Sequence, residues 1–239
     1  MASTIISKRL TINGDAGAVV LDGLDFTGDG YIDVYGCTSL TIKNCRIYNL
    51  TATAAKMYWL HVYNDIELKI VVENCFFGNS PKNDVGQVYN MLEPTAKLST
   101  GSSFSKNYWK KECCSHNFIN IYGATDNAQI DVNENVFEFC ETGIRIGVKG
   151  EPACKISLKN NKILSVNTED PTWAGLALVQ PYGKATTTFA NMEVELEGNT
   201  TITERQFIAY YNDNDLILTK SNLPKVTIDG VVTVPEILH

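Results

Sequence analysis

The sequence predicts an all-β chain: a single right-handed parallel β-helix of about seven coils, three strands per coil, forming one domain over residues 1–239. Three observations predict it. An eight-residue pattern recurs along the chain, a corner rich in Gly and Asn sits at one offset within it, and a short apolar strand precedes most copies. A repeat spaced by roughly 20–50 residues points to stacked units that bury a continuous core.

The pattern reads apolar, any, apolar, two residues, a small inward residue, any, apolar. It runs Val19-Leu21-Leu24-Phe26, Leu40-Ile42-Cys45-Ile47 and Ile70-Val72-Cys75-Phe77. It continues as Ile130-Val132-Asn135-Phe137, Ile156-Leu158-Asn161-Ile163, Val194-Leu196-Asn199-Thr201 and Val226-Ile228-Val231-Thr233. Each half alternates with the period of two of a strand with one buried face. The second corner residue is Gly23, Asn44, Asn74, Glu134, Asn160, Gly198 and Gly230, so six of seven tolerate a left-handed backbone. An ordinary antiparallel sandwich has no reason to hold one corner type at one offset.

The residue after the corner points inward. Cys45, Cys75, Asn135, Asn161 and Asn199 are therefore expected to stack as a structural ladder, amides bonding from level to level and thiols packing as small hydrophobes. Metal binding by Cys45 and Cys75 lacks further ligands in that column. The preceding strands are Ile32-Val34, Leu60-Val62, Ile119-Ile121, Ile144-Ile146, Leu176-Leu178 and Ile208-Tyr210. With them the section becomes triangular.

Two turns, Asn74-Cys75-Phe76-Phe77 and Asn160-Asn161-Lys162-Ile163, resemble those of the pectate-lyase-like parallel β-helix superfamily. The resemblance covers residues 18–165 well and 166–233 loosely. It implies a fold and says little about activity. The GHG, Asp-Asp and RIK elements of that superfamily's polygalacturonases are missing, as are the histidine-bearing patterns of its lyases.

The period breaks twice. Cys75 to Asn135 spans 60 residues, which predicts a loop insertion at about 79–117, with Val88–Leu92 as an irregular extra strand. A second loop is expected at about 168–190. Long loops on a regular scaffold carry function, so Tyr108, Trp109, Lys110, Lys111 and Trp173 are the candidate partner contacts.

Composition bounds the rest. A net charge of −7 and a pI near 5.0 argue against nucleic acid as the main partner. No apolar run reaches the ~20 residues of a membrane span. Met1–Ile6 lacks the charged start of a signal peptide, so synthesis in a host cytoplasm is expected. The seven cysteines have no CxxC spacing and read as reduced thiols.

For chemistry, the outward residues of the preceding strands form a column of Asp33, His61, Asn120, Arg145, Ala177 and Ala209. Asp33, His61 and Arg145, helped by Asp131 from the next strand, would be the catalytic set of a polysaccharide hydrolase or lyase. Ser157 and Glu195 share the outward column of Asp131. Mixed charges are equally the ordinary filling of an exposed face. Asp25, Asp29 and Asp33 sit at positions one, five and nine of a calcium-loop-like stretch, with Gly30 at six. Gly36 stands where the bidentate acid belongs, so no metal and no cofactor is expected. Neither end supplies an evident cap for its strand edges. With these features the chain most resembles bacteriophage virion β-helix proteins, and that resemblance implies a capsid decoration or tail-associated component. The resemblance further implies docking on other virion proteins as a homo-oligomer, a trimer in that family, with host glycans as a further contact.

Overall fold

The computed structural model describes residues 3–51, 58–63, 66–78, 90–94, 96–110, 117–138, 142–164, 175–180, 188–201, 208–211, 223–234 and 236–238. These residues are all-β, with no helix among them. Their strands form three sheets whose neighbours pair in parallel, apart from one hairpin.

The first sheet contains, in spatial order, Thr4–Ile6, Leu24–Gly28, Arg46–Leu50, Phe76–Gly78, Tyr108–Trp109, Val136–Phe137, Lys162–Ile163 and Thr200–Thr201. The second runs Leu10–Ile12, Ile32–Val34, Tyr58–Val62, Asn90–Pro94, Asn117–Ile121, Thr142–Ile146, Ala177–Val179, Ile208–Tyr211 and Glu236–Leu238. The third begins with Ala18–Asp22, Ser39–Lys43, Glu67–Glu73, Ser102–Ser105 and Gln129–Asn133. It continues through Cys154–Lys159, Met192–Glu197, Lys225–Ile228 and Val231–Thr233, with Lys97–Leu98 as a side branch on Glu67–Glu73. Chain order visits third, first and second sheet in turn, then returns one level further on. Alternate residues of each strand fill the space between the sheets, where Leu40, Ile70, Phe104, Ile130, Ile156 and Val194 are fully or almost fully buried.

The corners follow the predicted column. Gly23, Asn44, Asn74, Glu134, Asn160 and Gly198 all have φ between 53° and 66°. Glu134 holds this left-handed conformation at 58° without the freedom of Gly or the local hydrogen bonding of Asn. Glu134→Asn is therefore expected to raise stability by about 0.5–1 kcal/mol, read from the shift of a urea transition at unchanged slope.

Inside the corner the ladder forms, with one more rung than expected. Asn107 Nδ2 donates to Asn135 Oδ1 (3.1 Å), Asn135 Nδ2 to Asn161 Oδ1 (3.0 Å) and Asn161 Nδ2 to Asn199 Oδ1 (3.0 Å). Each of those Oδ1 atoms also accepts the backbone N–H of the preceding rung. The second amide hydrogen goes to a carbonyl one level back: Val72, Phe104, Val132 and Leu158 for the four asparagines in order. Cys75 continues the column, its N–H on Asn107 Oδ1 at 2.9 Å. Its thiol is pushed far up, first by its hydrogen-bonded neighbour Cys45 and then by burial. Cys37, Cys45, Cys75 and Cys154 are all free and buried.

Asn107 corrects the expected insertion at 79–117. Residues 97–109 complete a level of their own, and the 60-residue gap divides into steps of 32 and 28. Two substitutions hide it. Ser102 fills the first apolar position, its Oγ donating to Ser99 O and accepting from Ile70 N, so a buried hydroxyl replaces an aliphatic chain. Lys106 takes the corner with φ 56°. Asn90–Pro94 supplies the second-sheet strand, overlapping the irregular strand expected at 88–92. Of the second expected loop, at 168–190, Ala177–Val179 is a strand, and 168–174 and 181–187 lie outside the described residues.

The last unit also departs from the pattern. Asp229 and Gly230, with φ of 45° and 81°, make a two-residue turn with both centres left-handed. Val231–Thr233 consequently folds back antiparallel on Lys225–Ile228 instead of entering the first sheet.

Candidate functional site

The expected second-sheet column comes together only in pieces. Asp33 and His61 are register partners, and so are Asn120 and Arg145. Between them lies Glu93, in register with His61, because the level at 90–109 intervenes. Beyond Arg145 comes Leu178 rather than Ala177, whose partner is Ile144. The run Leu176-Ala177-Leu178-Val179 is apolar at both parities, so alternation sets no register there.

Asp33 is buried and bound to Arg9, its Oδ2 lying 2.7 Å from Nη1. His61 packs against Tyr63 at 4.1 Å between centroids, and Tyr63 stacks on Tyr35 at 4.5 Å and 7°. Burial holds the His61 pKa down, with Asp33 opposing and Arg9 adding to the shift. Arg145 lies over the Tyr122 ring at 5.6 Å. Asp131 belongs to the third sheet, in register between Ser103 and Ser157. The four groups assigned to catalysis thus occupy two sheets and do not face one reacting centre.

The calcium-loop residues are separated likewise. Asp25 is on the first sheet, taking a hydrogen bond from Ser3 Oγ at 2.6 Å with Arg46 3.9 Å away, while Asp33 is on the second. Asp29 occupies the turn between them. No group of three His, Cys, Asp or Glu side chains suited to a metal occurs among the described residues.

Of the expected partner contacts, Trp109 is corrected to a core residue. It is fully buried, stacked on Phe77 at 4.6 Å and 2° and on Phe137 at 5.0 Å and 25°. Its strand has only two residues, and position 109 is the inward one. Tyr108 faces outward beside Phe76, its hydroxyl 2.5 Å from Glu138 Oε1. Lys110 is half-buried at the strand end. Lys111 and Trp173 lie outside the described residues.

The best-formed site is on the outer face of the third sheet. Its strands hold Gln129, Lys155 and Glu193 in register on successive levels, and Asp131, Ser157 and Glu195 beside them. A cavity of about 370 Å³ lies over Ala153 and Cys154, walled by Gln129, Lys155, Asn191 and Glu193. A second, of about 240 Å³, lies over Ser157 between Asp131, Lys155, Lys159 and Glu195. Gln129 and Lys155 border both, so the two are one groove.

The charges in the groove are largely matched. Lys155 Nζ is 2.8 Å from Glu195 Oε2, and Lys159 Nζ is 2.6 Å from Glu197 Oε2 and 3.8 Å from Glu195 Oε2. Lys225 pairs with Glu193 at 3.1 Å. The hydrogen bond from Lys155 holds the Glu195 carboxyl below its ordinary range, and that to Glu197 raises Lys159. Sequence reasoning found the Asp131, Ser157 and Glu195 column but missed Gln129, Lys155 and Lys159. The same outward parity, read one position pair further along each strand, finds them.

Comparison of the chain with protein-family models, curated proteins and solved structures gives no match. The class defined by the observations above is an all-β protein of parallel sheets with a polar groove on one outer face.

Proposed function

We propose that the three sheets are the walls of one right-handed parallel β-helix of the pectate-lyase-like kind, and that the chain is a non-enzymatic virion structural protein. Parallel crossover connections are overwhelmingly right-handed, which supports the hand. The role is capsid decoration or tail attachment, with docking on other virion proteins, assembly as a homo-oligomer, and host glycans as a second contact.

The observation that carries this reading is where the most exposed apolar side chains lie. Ile5 and Val20, 62 % and 60 % exposed, are on outermost strands at one end of the stack. Val231, Val232 and Val234, 64–68 % exposed, are on or beside the outermost strand at the other. Apolar edge strands are the surfaces a chain covers with a partner.

A second reading, a polysaccharide hydrolase or lyase, draws on Asp131 and Glu195, two levels apart and therefore about 10 Å from each other. Glu195, held ionised by Lys155, is a poor proton donor for that chemistry. Mass spectrometry of purified virus particles should find this chain at a fixed ratio to the capsid protein. Its absence from the particles, or release of reducing ends from polysaccharide by the purified chain, would overturn the structural reading.

A further inference from the structure

We infer that the groove on the third sheet, from Gln129 to Glu195, binds a neutral oligosaccharide of two or three sugar rings. The inference rests on the glycan contact proposed above and is independent of attachment to a particle.

The groove is built on strands, so its polar groups stand at fixed spacings. Three levels about 4.8 Å apart give it a height of roughly 10 Å. Each level repeats a pair of outward groups: Gln129 with Asp131, Lys155 with Ser157, and Glu193 with Glu195. Its larger hollow, about 370 Å³, is shallow and open to solvent, a shape that receives an extended chain along one side.

The chemistry of the lining selects the ligand. Gln129, Asp131 and Ser157 have no protein hydrogen-bond partner for their side chains among the described residues, although Ser157 is only 8 % exposed on the groove floor. An amide, a carboxylate and a hydroxyl together offer donors and acceptors to a ligand that has both, as sugar hydroxyls do. Lys155, Lys159, Glu193 and Glu195 are already held in ion pairs, and Asp131 is in none among the described residues. Asp131, Glu193 and Glu195 set against Lys155 and Lys159 leave the lining one negative charge in excess. A uronate, sialylated or phosphorylated chain would meet that excess and would have to break the Lys155–Glu195 pair to gain a cation. Over Ser157 the lining is mainly polar, and Ile130 and Ile156 beneath it point inward and are fully buried, so an apolar ligand gains little there. A neutral sugar avoids both costs.

The test is an amide chemical-shift titration of the full, isotope-labelled chain. The probes are neutral gluco- and galacto-oligosaccharides of two to four rings, with oligogalacturonate as the acidic control. At least one neutral series should move amides in 127–131, 155–159 and 191–195 in a saturable way. Gln129→Ala, an exposed change, should weaken that binding at least fivefold without moving the thermal midpoint. Ser157→Trp, which fills the floor, should abolish it. Groove amides that stay still with every neutral sugar, shifts confined to the Tyr35, His61 and Tyr63 face, or a preference for oligogalacturonate would each overturn the assignment. A chain that joins particles yet ignores every sugar removes the groove ligand and leaves the structural function standing.

Discussion

Asn135→Ala is expected to lower stability by about 3–5 kcal/mol. The side chain is completely buried, and all four of its hydrogen bonds are inside the protein. Alanine removes the acceptor of the Asn107 N–H and the donor to Phe104 O, so two backbone groups lose their partners in a dry interior. Each such loss costs about 1–3 kcal/mol. Asn107 Nδ2 and Asn161 Oδ1 each lose one partner as well. For a chain of this size the midpoint of thermal unfolding should fall by roughly 10 °C.

The comparison is Asn44→Gly on the outer side of the corner. Asn44 bonds to Asp22 and Asn74 in solvent, and its φ of 54° suits glycine, so the change should stay within about 0.5 kcal/mol. Urea transitions of the two variants read the difference. A loss below about 1 kcal/mol for Asn135→Ala would mean that water replaces the ladder and that the corner is not a closed polar seam.

That seam was the most legible feature of the sequence, for a physical reason. A left-handed corner restricts one position to Gly or Asn, and stacking forces the next position inward, so two adjacent columns constrain one another. Legibility failed where side-chain chemistry substituted for pattern. Ser102 buries a hydroxyl by bonding it to Ser99 O and Ile70 N, which a hydrophobicity pattern does not register. The hidden level then displaced every column that crossed it. His61 and Asn120 looked adjacent, whereas the level of Glu93 separates them. The polar groove was half legible, because outward parity identifies which residues share a face but not where small floor residues such as Ala153 leave space. The Asp229-Gly230 turn carries a hairpin signal that the repeat masks, because Val226-Ile228-Val231-Thr233 also fits the eight-residue pattern.

Trp109→Ala carries the other large expected effect, and it separates a core role from a contact role. The indole lies between Phe77 and Phe137 on the levels before and after it, with Phe118 at 5.5 Å from the second sheet. Alanine would leave a cavity with aromatic walls held by their own strands, a setting that collapses poorly. The expected cost is about 3–5 kcal/mol. Trp109→Phe should cost under about 1.5 kcal/mol, since phenylalanine already fills the equivalent place at 77 and 137. The indole N–H has no hydrogen-bond partner among the described residues, so its loss leaves no acceptor there unsatisfied. Tyr108→Ala removes an outward ring and its bond to Glu138, and should cost no more than about 1 kcal/mol. Denaturant midpoints of the three variants order these effects. If Trp109→Ala instead left the midpoint unchanged and weakened only association with a partner, the ring would be facing outward, and the inward register of the whole first sheet at that level would have to be redrawn.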